Sequence, residues 1–122
     1  MTSKEVKFPK SIKKAWIKAL RSGKYKQGKS RLFHNSTKKY CCLGVLARVC
    51  DIRTDSRLLI DNSDITTIDL KRYRLSEEKL KKFKAVHNYF KLNRPIQSRL
   101  MVMNDDENHN FNEIANYIDK NL

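Results

Sequence analysis

Proline and glycine are scarce in this chain, two and three residues among 122. That scarcity excludes collagen-like, linker-like and low-complexity chains, which are built largely from those residues. No apolar run approaches the roughly 18–20 residues that a spanning helix needs, so a transmembrane protein is not expected. Cysteine is limited to Cys41, Cys42 and Cys50. An odd number containing an adjacent pair makes a poor disulfide framework and fits a reducing compartment. The first residues, Met1-Thr2-Ser3-Lys4-Glu5, lead into lysines rather than an apolar signal core, so the expected location is the cytoplasm. Hydrophobic residues make up 39% of the chain. A length near the typical domain size of about 100–150 residues predicts one domain over 1–122, with a core that needs neither disulfide nor metal.

Charge is plentiful and uneven. The formal charge is +14. Residues 1–40 hold 13 basic and 1 acidic side chains, residues 41–70 hold 3 and 5, residues 71–100 hold 10 and 2, and residues 101–122 hold 1 and 5. Two basic blocks thus alternate with two mildly acidic ones. A field of this sign concentrates anions at the surface and speeds encounter with them. The partners it suits are nucleic acid, a nucleotide-type ligand or the acidic face of a protein. The plainer reading is a lysine-rich surface that keeps the protein soluble. Lysines outnumber arginines two to one, and lysine is the weaker choice for fixed bidentate phosphate contacts.

The hydrophobic spacing predicts a helix over Pro9–Ser22, with Ile12, Ala15, Trp16, Ala19 and Leu20 on one face and Gly23 as its stop. Aromatic and aliphatic pairs around a polar Asn35-Ser36-Thr37 stretch predict a short hairpin, Arg31–His34 against Lys38–Cys41. The most apolar segment, Cys41–Cys50, aligns Leu43, Leu46, Ala47 and Cys50 as a buried helix does, although Gly44 costs such a helix about 1 kcal/mol. Residues 51–75 read as a polar loop with short strand-like pieces at 58–60 and 65–68. Ser76 followed by Glu77 and Glu78 opens a further helix, which Asn93-Arg94-Pro95 closes. Residues 96–103 fit a short helix or strand, and Asn104–Asn108 a loop. Asn110 and Glu113 have capping-box spacing at the start of a last helix, with Phe111, Ile114, Ala115 and Ile118 as its apolar stripe. The expected architecture is α+β, helix-dominant, with a short β-hairpin or small sheet.

Three blocks then stand out together. Trp16-x-x-Ala19-Leu20-Arg21-Ser22-Gly23-x-Tyr25-x-Gln27-Gly28 is followed by Tyr40-Cys41-Cys42-Leu43-Gly44-Val45-Leu46. Near the end come Leu100-x-x-x-Asn104-Asp105 and Phe111-x-x-Ile114-Ala115-x-x-Ile118. This order of blocks resembles a group of small phage and prophage proteins and covers most of the chain outside residues 51–90. The Tyr-Cys-Cys-Leu-Gly-Val-Leu block is its most specific part. The resemblance implies a viral accessory protein acting in a host cytoplasm, in host takeover or counter-defence. It implies no catalytic residues.

The candidate ligand-binding residues lie past the first helix: Lys24, Tyr25, Lys26, Gln27, Lys29 and Arg31, with Arg21 and Lys18 in support. Cations hold a phosphate backbone while an aromatic ring stacks on a base. The plainer reading of this stretch is a helix cap and hairpin approach that needs Gly for its geometry. It is not a Walker-type phosphate loop, because the strand, the spacing and the Lys-Ser/Thr pair are missing. Cys41 or Cys42 at a helix start, with His34 or His87 as base and Gln27 as an oxyanion donor, makes a weaker nucleophile candidate. An apolar run more often holds inert thiols. Zinc is not expected, since the cysteines lack paired spacing. Asn104-Asp105-Asp106-Glu107 could hold a hard cation, but without an EF-hand pattern it reads as a solvated loop. The leading expectation is therefore a binding protein without cofactor or metal, acting by sequestration or blocking and compatible with a homodimer. A protein-protein inhibitor of a host enzyme or defence complex comes second, and a Cys-dependent hydrolase or transferase third.

Overall fold

The computed structural model describes residues 7–29, 33–34, 36–51 and 76–122. Arg31 and the strand-like pieces at 58–60 and 65–68 lie outside the described residues. Helix α1 spans Lys10–Arg21 and buries Ile12, Trp16 and Leu20. Ala15, expected on that face, is exposed. At 3.6 residues per turn it falls roughly a quarter turn from the centre of the Ile12–Trp16–Leu20 stripe. Beyond the helix, Gly23 has φ +77°, the left-handed geometry that ends a helix at little cost for glycine.

Three two-residue strands follow: β1 (Lys26–Gln27), β2 (Phe33–His34) and β3 (Lys39–Tyr40), in the order β1-β3-β2. The β2–β3 pair is antiparallel, with Phe33 opposite Tyr40 and His34 opposite Lys39, within the expected hairpin. Strand β1 is an element that the sequence did not predict in the stretch read as a helix cap and hairpin approach. It runs parallel to β3 with Lys26 beside Lys39 and Gln27 beside Tyr40, and Gly28 N–H donates to Tyr40 O at 2.6 Å.

Helix α2 (Cys42–Val49) leaves β3 and runs into the core, with six consecutive residues, Cys42 to Ala47, buried. A helix that is apolar on all sides must be covered on all sides. It packs against α1, β3 and α4 (Arg94–Asp105). Helix α3 (Glu77–Leu92) begins at Ser76, whose side chain accepts from Lys79 N–H. Helix α4 has Pro95 in its first turn, where a missing N–H does no harm. It extends through Asn104 and Asp105, correcting the expected loop there, because Leu100, Met103 and Asn104 continue one buried face. Helix α5 (Phe111–Asn121) carries the full Asn110–Glu113 capping box and buries Phe111, Ile114, Ala115 and Ile118. The result is an α+β chain, helix-dominant with one small sheet around one core cluster. No described helix is long and apolar enough to cross a membrane.

Trp16 joins the core to the start of α2. It is fully buried, stacks on Phe8 at 5.7 Å, and its indole N–H donates to Cys42 O at 3.0 Å. Trp16→Phe removes that donor and part of the ring volume from a close-packed interior. The expected loss is about 1–3 kcal/mol of unfolding free energy, read as a lower urea midpoint with an unchanged slope.

Candidate anion-binding site

The polar centre of the fold is Asn104, 1% exposed near the end of α4. Its Oδ1 accepts from Cys42 N–H at 3.2 Å and from Gln27 Nε2 at 3.0 Å. Its Nδ2 donates to Gly28 O and to Asp105 Oδ1, both at 2.8 Å. Two acceptor and two donor contacts use the full capacity of the amide. The Cys42 contact matters most locally, because Cys41 at the N-cap of α2 offers no side-chain hydrogen bond and a buried helix start leaves amides that need partners. Asn104 acts as a cap supplied by another helix. The second hydrogen of Gln27 Nε2 goes to His109 O at 2.7 Å, so both amide hydrogens are spent inside the fold. The assignment of Gln27 as an oxyanion donor is corrected on that ground.

The sheet sorts the remaining candidates by face. Residues directly paired across strands share a face, so Lys26, Lys39 and His34 form a row across β1, β3 and β2, while Gln27, Tyr40 and Phe33 lie on the other side. Gly28 supports this row: a Cβ there would lie 2.8 Å from Lys39 Cβ and 3.1 Å from His34 Cδ2. Lys26 and Lys39 are exposed, and so is Lys24 before β1. Tyr25 is half-buried and meets the Tyr40 ring edge-on at 5.1 Å, so its ring is engaged in packing. The Lys29 ammonium is bonded to Asn108 Oδ1, and Arg21 donates to Asn116 Oδ1 at 2.7 Å. Lys18 is exposed on α1 and borders a shallow hollow with Lys14, Ile17 and Arg21. The sheet thus brings Lys26 together with Lys39, which sequence reasoning missed. Alternation along one strand carries no information about which lysine stands opposite another.

The thiols are poorly placed for nucleophilic work. Cys41, Cys42 and Cys50 are all free and buried. Burial raises the thiol pKa of Cys41 and raises that of Cys42 well above its ordinary value; it pushes Cys50 up to about 12, with Asp51 adding to the effect. Cys42 Sγ contacts Leu100 O at 3.7 Å. His34 Nε2 bonds to Lys29 O; a carbonyl can only accept, so that nitrogen carries the hydrogen. Among the described residues, no three His, Cys, Asp or Glu side chains gather as a metal site would require.

Sequence reasoning also missed an acidic network beside Asn104. Glu107 accepts from Arg99 at 2.8 Å. His109 lies 3.3 Å from Glu107 and 3.4 Å from Glu113. The Arg99 hydrogen bond is the main cause holding the Glu107 carboxyl below its usual range. For Glu113 the main cause is the Asn110 N–H, followed by His109. A depressed native pKa favours the charged form, so this stabilisation is complete above the ordinary glutamate value, about 4.3, and is lost as pH falls through the lower native value. Urea midpoints are expected to drop on acidification below about pH 4, and Glu107→Gln with Glu113→Gln to flatten that drop. Asn104→Leu, which keeps the side chain branched at Cγ but removes every polar atom, strands Cys42 N–H and Gly28 O in the core. The expected cost is about 2–4 kcal/mol, measured by chemical denaturation.

No curated protein and no solved structure matches this chain. The model of a family described as a domain of unknown function, DUF8296, matches residues 8–122. That span takes in α1, the sheet, the Asn104 network and α5, and the chain belongs to the DUF8296 family.

Proposed function

We propose that this protein is a small phage-encoded accessory factor that binds a nucleic acid or nucleotide-type anion on its sheet face and acts by sequestration or blocking. The observation that carries the reading is the pairing of Lys26 with Lys39 across β1 and β3. Like charges directly opposite one another on a sheet are unfavourable, by a few tenths to about 1 kcal/mol. A bound phosphate between the two ammonium groups relieves that repulsion and turns a local cost into affinity. Lys24 extends the cationic surface along the chain, and His34 supplies a ring at the end of the row. The resemblance of the Trp16, Cys41-Cys42 and Asn104 blocks to small phage proteins supports the accessory role, and the +12 balance of residues 1–40 supports the sign of the ligand.

Lys26 and Lys39 carry the contact, while Gln27 and Tyr25 hold the strand that presents them. Lys26→Glu with Lys39→Glu leaves the Gln27–Asn104 bonds and the aromatic packing in place, so the fold is retained. Fluorescence anisotropy with a single-stranded oligonucleotide at low salt is expected to show at least about a tenfold loss of affinity. The slope of log affinity against log salt is expected to fall by about 1.4, roughly 0.7 for each phosphate of a single strand that a lysine no longer neutralises. Wild-type affinity in the folded double variant would overturn this assignment.

A further inference from the structure

A second cationic feature shares no residue with the sheet face. Where α1 begins, α3 passes into α4 and α5 ends, a cavity of about 880 Å³ opens to the surface. Its lining combines Lys7, Lys10 and Lys13 with Tyr89, Leu92 and Ile96. Lys13 Nζ is held by Asp119 O at 3.1 Å, while Lys7 and Lys10 are exposed. Among the described residues, the lining holds no Asp or Glu side chain, and Asn121 and Leu122 complete it at the end of α5. Pro9 at the N-cap of α1 gives that helix start no side-chain partner, so its amides add to the positive potential there. The apolar part of the lining is poorly covered: Leu92 is 65% exposed, more than Met101 or Val102.

We propose that this cavity binds a small amphiphilic anion, with a carboxylate, sulfonate or phosphate head on an aromatic or short aliphatic body. Cations and apolar side chains lining one cavity match a ligand that carries both a charge and an apolar body. The head group neutralises Lys7 and Lys10, and the body covers Leu92 and Ile96 and lies against the Tyr89 ring. The volume falls within the range of about 300–1,000 Å³ typical of small-molecule sites. An inorganic anion would leave Leu92 in water, and an uncharged apolar molecule would leave the lysines uncompensated.

Anilinonaphthalene sulfonate, an aromatic anion, is a suitable probe. Titrated into the full chain, it is expected to bind one-to-one and saturably with a blue-shifted emission, and to be displaced by dodecanoate but not by dodecanol. Lys7→Glu with Lys10→Glu reverses two charges without removing a core side chain, and is expected to weaken binding at least about tenfold. Leu92→Asp, at an exposed position, is expected to do the same through the apolar part of the lining. Lys26→Glu with Lys39→Glu is expected to leave probe binding unchanged, which separates this site from the sheet face. Non-saturable binding, equal displacement by dodecanol, or wild-type affinity in variants whose circular dichroism is unchanged would overturn the proposal. Loss of probe binding in the Lys26 and Lys39 variant alone would overturn it as well.

Discussion

The backbone of Cys42 is the point on which the structure turns. It opens a helix buried on all sides, preceded by a cysteine that cannot cap it, so its amide must find a partner from elsewhere in the chain. Asn104 supplies that partner, 62 residues away, and Trp16 donates to the carbonyl of the same residue. With its N–H and C=O both bonded to other helices, Cys42 fixes the relative positions of α1, α2 and α4. Asn104 then carries the constraint outward through Gln27 and Gly28. Strand β1 is held by these side-chain bonds as well as by its short ladder. Two-residue strands are too short to define a sheet by themselves, and the small sheet depends on the amide that also caps the central helix.

This arrangement gives the blocks that carry the family resemblance a physical meaning. Trp16, Gln27, Gly28, Cys42 and Asn104 come from separate stretches of sequence, yet they bond to one another. Their role is to close the core and seat the sheet. The adjacent cysteines belong to this framework as small apolar residues of a buried helix start, with burial raising their thiol pKa values. A motif dense in Cys, Gln and Asn invites a catalytic reading, but its polar atoms bond inward. The exposed groups beside this network are cations, Lys24, Lys26 and Lys39.

What could be read from the sequence follows the distance over which each signal acts. The helix starts at Ser76 and Asn110 were legible because a cap involves residues three apart, and the hairpin because turn and strand residues are contiguous. The α1 stripe was legible apart from Ala15, which sits at its edge. Strand β1 was not, since two polar residues carry no alternation, and their pairing with β3 is non-local. Asn104 was hidden for the opposite reason. It stands among Asp105, Asp106 and Glu107, a local pattern that reads as solvated loop, and the amide of Cys42, the side chain of Gln27 and the carbonyl of Gly28, all distant in sequence, give it a reason to be buried. Lys39 did not stand out as a binding residue because it lies in a separate segment from Lys26, and only the register makes them neighbours.

The two cationic regions differ in the physics they offer a ligand. On the sheet face, Lys26 and Lys39 are both exposed, so the proposed binding there would draw mainly on counterion release and weaken steeply with salt. At the cavity, Lys7 and Lys10 share the lining with Tyr89, Leu92 and Ile96, and covering apolar surface would contribute a part of the proposed binding that salt does not screen. On the two proposals, the same excess of lysine would serve two kinds of recognition. A flat row of like charges suits a polymer that brings many phosphates, each loosely held. A concave site with a mixed lining suits a compact molecule that brings one charge and an apolar body. What separates them is the surface beside the lysines, which the fold sets when it turns Gln27 inward and leaves Leu92 at the surface.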